Sequence, residues 1–94
     1  MRPAGLLLLA VLASCERPEP TVIDGSSQQA FERTTREARR DLPDADRLYF
    51  DRALRTVGGR SHSARDPEKF ARVTFDGMTG EQVVADQKAR EALR

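Results

Sequence analysis

The sequence predicts a small all-α protein: a helical hairpin plus one or two short C-terminal helices, preceded by a cleaved signal peptide and a Pro-rich tether. Three observations carry that expectation. Beyond residue 21 the apolar residues recur at helical spacing. Helix-capping patterns stand ahead of three of the apolar groups. No run of alternating apolar and polar residues offers a strand. With 94 residues the chain has room for one domain at most.

Met1-Arg2 is a minimal positive start, and Leu6 to Leu12 is an uninterrupted apolar run. That run suits a signal peptide and falls short of the roughly 20 residues a spanning helix needs. It ends in Leu12-Ala13-Ser14-Cys15, which resembles the bacterial lipobox: an aliphatic residue three before the cysteine, then two small ones. The resemblance implies cleavage before Cys15, diacylglycerol on the Cys15 thiol, and a new amine open to acylation with a fatty acid such as palmitate. A lone cysteine in an exported chain points to modification rather than a staple, and Cys15 is the only cysteine. The lipobox thus sets three segments: signal peptide 1–14, lipidated Cys and extended tether 15–21, small helical domain 22–94. Glu16 follows the cysteine. Asp at that place often retains a Gram-negative lipoprotein in the inner membrane, so Glu16 favours the periplasmic face of the outer membrane.

Glu16-Arg17-Pro18-Glu19-Pro20 is charged, proline-punctuated and without apolar side chains, so it cannot join a core. The folded part is expected from Val22-Ile23. Ser26 with Gln29 reads as a capping box opening a first helix, whose stripe is Phe31, Thr34/Thr35, Ala38 and Leu42. Glu32–Arg36 and Arg33–Glu37 stand four apart as supporting pairs on the outer faces. Pro43 breaks that helix. A second is expected from Asp44, carrying Leu48, Tyr49, Phe50, Ala53, Leu54 and Val57 and ending at Gly58-Gly59. The short break makes these two an antiparallel hairpin in which Phe31 meets Leu48. Arg60 to Arg65 reads as loop. Asp66-Pro67 opens a short helix through Phe70, Ala71 and Val73, stopped at Asp76-Gly77. Thr79 with Gln82 is a second capping box, followed by Val83, Val84, Ala85, Ala89, Ala92 and Leu93.

Charge excludes one class of function. Sixteen Lys plus Arg face fifteen Asp plus Glu, and Arg2 is the only charged residue before Cys15. The processed chain is therefore neutral, with no field to steer it toward nucleic acid. Catalytic and metal-ligating residues are expected to be absent. His62, the only histidine, stands between Ser61 and Ser63 with Asp66 nearby. A triad needs a rigid scaffold and oxyanion donors, which so short a loop lacks. One His and a lipidated Cys cannot build a zinc site. Asp41, Asp44 and Asp46 lack the spacing and glycine of a calcium loop, and helix capping accounts for them better. Gly58-Gly59-Arg60 has no preceding strand and no following GK[ST]. Arg39-Arg40 is flanked by Glu37 and Asp41, as on a solvated helix face.

Val22-Ile23-Asp24-Gly25-Ser26-Ser27 followed by Ala30-Phe31 resembles the start of a family of small bacterial lipoproteins of unknown function. There an Ile-Asp-x-Ser-Ser lead-in precedes an amphipathic helix, and a second helix rich in acidic residues and Phe follows. Asp76-Gly77-Met78-Thr79-Gly80-Glu81-Gln82-Val83-Val84 is similar to the family's Gly-x-Thr turn opening a last helix. The chain departs in Thr34, where serine is common, and in Arg47 to Phe50, where the family is more acidic. The resemblance implies fold and location and transfers no catalytic residue. The expected function is that of a membrane-anchored envelope lipoprotein, not an enzyme, acting as a small helical interaction module. The alternatives are a structural or stress-related envelope lipoprotein and an accessory subunit of an envelope enzyme. Its expected contacts are the membrane through the anchor and an envelope protein, with no nucleic acid, small-molecule ligand or cofactor.

Overall fold

A computed structural model describes residues 19–57 and 65–93. Among them are four helices: α1 (Gln28–Arg40), α2 (Asp44–Thr56), α3 (Pro67–Phe75) and α4 (Gly80–Ala92). No strand forms among the described residues; one isolated antiparallel bridge pairs Val22 with Thr79. The fold is all-α.

α1 begins one residue later than its sequence suggests. Ser27, not Ser26, is the N-cap, and its hydroxyl accepts from the Ala30 amide at 3.1 Å. The Ser26 amide instead donates to the Asp24 carboxylate at 2.9 Å, so Ser26 belongs to the turn ahead of the helix. The expected stripe is there: Ala30, Phe31, Thr34, Thr35, Ala38 and then Leu42 are buried. The supporting pairs Glu32–Arg36 and Arg33–Glu37 do not form among the described residues; Glu32 accepts from Gln28 instead. Pro43 ends the segment, and its carbonyl accepts the first amides of α2, from Asp46 and Arg47.

The inward side of α2 is Phe50, Ala53 and Val57. Leu48 does not meet Phe31; it is 61% exposed. The reason is angular. Two residues along a helix turn about 200°, so a helix that buries Phe50 completely must point Leu48 outward. Phe31 shares its core cluster with Phe50. α1 and α2 follow one another across the Pro43 break, but the broad packing face of α2 is turned to α4, and α1 packs on α3 and α4.

The end of α2 also departs from expectation. Gly58-Gly59 lies outside the described residues, and the left-handed residue that ends the helix is Val57, at φ 49°. A β-branched residue there costs about 1–2 kcal/mol. Burial of the Val57 side chain, worth about 1.5–3 kcal/mol, offsets it.

α3 starts as read, with the Asp66 carboxylate accepting from the Lys69 amide at 3.1 Å and Pro67 in the first turn. Ala71 and Phe75 face the core, while Val73 is exposed. α4 carries both halves of its capping box: the Gln82 amide donates to the Thr79 hydroxyl, and the Thr79 amide to the Gln82 side chain. Its inward stripe is Gly80, Val83, Val84 and Gln87. Ala85, Ala89, Ala92 and Leu93, expected on that stripe, are exposed. Once Val83 and Val84 are inside, the 3.6-residue repeat places Gln87, not Ala85 or Ala89, next in line.

Phe50, Phe75, Ile23 and Val83 are the largest fully buried side chains. The centre therefore takes one residue each from α2, α3, the lead-in and α4. Phe50→Ala should cost about 3–5 kcal/mol and lower the melting temperature sharply. Leu48→Ala should stay within about 0.5 kcal/mol. Thermal melts followed by circular dichroism separate the two; a larger loss from Leu48 would mean that α2 is turned the other way.

Candidate functional site beside the lead-in

The sequence-derived site residues Leu12, Ala13, Ser14 and Cys15 lie outside the described residues, whose first segment opens at Glu19. What the structure does describe is how the segment from Glu19 to Ser27 enters the fold. The Thr21 amide and hydroxyl both donate to Oδ2 of Asp41, at 3.3 and 3.0 Å. Ile23 then lies between the chain and the α3–α4 turn: its amide donates to the Met78 carbonyl, and its carbonyl accepts from Gly77, each at 2.8 Å. The Asp24 amide donates to the Thr34 hydroxyl at 2.9 Å, and that hydroxyl donates to the Ala30 carbonyl at 2.8 Å. The Gly25 amide donates to the Asp76 carboxylate at 2.8 Å.

Three side chains of the Ile-Asp-x-Ser-Ser lead-in thus have a local task. Ile23 fills the core, Asp24 closes a turn on Ser26, and Ser27 caps α1. The Ser26 amide holds the Asp24 carboxyl below the ordinary carboxylate range. Gly25 is required by contact: a Cβ there would collide with the Arg72 carbonyl at the end of α3.

Beside this segment lies a cleft of about 470 Å³. Its base is the buried set Ala38, Leu42 and Gly80. Its edge carries the exposed carboxylates Glu19, Asp41 and Glu81, with Pro20 and Thr21 along one side. Gly80 lets α4 approach α1 closely, since a Cβ there would sit 3.0 Å from the Ala38 carbonyl.

The other sequence candidates fall apart in space or lie elsewhere. Ser61, His62, Ser63 and Gly58-Gly59-Arg60 lie outside the described residues. Asp66 caps α3. Asp41 binds Thr21, Asp44 pairs with Arg47 and Asp46 with Lys88. No group of three His, Cys, Asp or Glu side chains is placed to hold a metal ion among the described residues. Arg39 does not form a basic patch with Arg40; it makes a two-bond fork to Asp51 at 2.8 and 3.0 Å. That fork pulls the Asp51 carboxyl down and pushes the Arg39 guanidinium up.

A seam between α2 and α4 went unread in the sequence. Arg52 forks onto Glu91 at 2.8 and 3.0 Å, which raises its affinity for its proton. Gln87 donates to the same carboxylate at 2.9 Å. Arg52 and Lys88 flank the Tyr49 ring at 4.8 and 5.1 Å from its centroid, and Lys88 also reaches Asp46. Arg52 and Glu91, and Asp46 and Lys88, stand far apart in the chain, so no local pattern announces them. Two arginine forks suited to outside carboxylates or phosphates are therefore already engaged within the protein.

A family model matches residues 4–66, more than half of the chain. The chain belongs to DUF6694, a family of unknown function. No curated protein and no solved structure matches it. The DUF6694 match takes in the apolar run, Cys15, the proline-punctuated stretch after it, the lead-in, α1 and α2, and stops at the cap of α3. The lead-in therefore lies within the family match, while Arg72, Asp76, Gly77 and Met78, against which it rests, lie beyond it.

Gly25→Ala should cost about 1–3 kcal/mol, because backbone at the end of α3 must shift to admit the methyl group. A thermal melt of the variant checks this. A melting temperature equal to that of the unaltered protein would mean that the lead-in does not rest on Arg72.

Proposed function

We propose that this protein is a lipoprotein of the bacterial cell envelope, processed before Cys15 and held to the membrane by a diacylglyceryl group on that residue. The observation that carries the reading is Leu12-Ala13-Ser14-Cys15 at the end of the apolar run Leu6 to Leu12. The family match begins at residue 4 and so spans that whole arrangement, which lends support. The described fold is compatible: no helix among the described residues is long and apolar enough to cross a membrane. Anchoring then falls to the lipid. One acyl chain holds only marginally and two hold stably, at about 0.8 kcal/mol for each buried CH₂.

In this reading the helical head is a binding module without catalysis of its own, presented to an envelope protein. Thr21 is pinned to Asp41, so residues 15–20 set how far the head stands from the proposed anchor. With two prolines that stretch spans roughly 16 Å at about 3.1 Å per residue. Glu16 favours the periplasmic face of the outer membrane.

Cys15→Ala should abolish acylation and leave unprocessed precursor. Metabolic labelling with an alkyne fatty acid, read on immunoprecipitated protein, is the check. Equal labelling of the variant and the unaltered chain would end the lipoprotein reading.

A further inference from the structure

We draw no further inference here: the strongest candidate, the exposed outer face of α1 where Arg33, Arg36 and Arg40 make no ion pair among the described residues, is interleaved with Glu32 and Glu37, and nothing in the structure shows what covers it.

Discussion

Ile23 and the backbone on either side of it hold the structure in register. The helices of this protein are short, and α1 and α2 meet each other only slightly. What joins them into one body is a stretch of extended chain that enters the core instead of leaving it. Ile23 is among the largest fully buried side chains, and its amide and carbonyl both bond to the α3–α4 turn. Asp24 reaches α1 through Thr34, and Gly25 reaches the end of α3 through Asp76. An extended segment has no internal hydrogen bonds to satisfy it, so each buried amide needs a partner from elsewhere. Here the partners come from both sides, and satisfying them fixes α1 relative to α3 and α4.

The second organising contact is the seam of α2 on α4. It is apolar at its centre, with Phe50 and Ala53 of α2 and Val83 and Val84 of α4 in one cluster, and polar at its margin. Gln87 is buried in the stripe of α4, yet its amide nitrogen is satisfied by Glu91, which Arg52 holds in place. The partly exposed forks contribute modestly to stability in water. Their larger effect is geometric, since a bidentate guanidinium tolerates few orientations of its carboxylate. Val57 extends the same logic to the backbone: burial of its side chain keeps a β-branched residue left-handed at the end of α2.

The helices and their breaks were legible because their causes are local. Asp66-Pro67 and Thr79 with Gln82 act within three residues, and Pro43 acts on its immediate predecessors. Facing was less legible. A helical repeat defines a stripe only relative to itself, and in α2 and α4 more than one stripe carried apolar residues. Leu48 and Ala85 therefore read as inward until packing chose Phe50 and Gln87. Ser26 and Ser27 are equal as caps by sequence; the turn made by Asp24 decided between them. The cleft was not legible, since it is assembled from residues 19–21, the end of α1 and the start of α4. The glycine of the lead-in was visible, but its cause, the Arg72 carbonyl, lies far along the chain.

If the lead-in holds the fold together, its amides cannot open without the whole head opening. Native-state hydrogen exchange of the protein, read by NMR, measures this residue by residue. The amides of Ile23, Asp24, Gly25 and Gly77 should exchange only through global unfolding, with the same opening free energy as the core amides of α2 and α4. Fast exchange at Ile23 and Gly77 while α2 and α4 stay protected would show the lead-in to be a passive strap on an independently stable helical body, and would contradict this account.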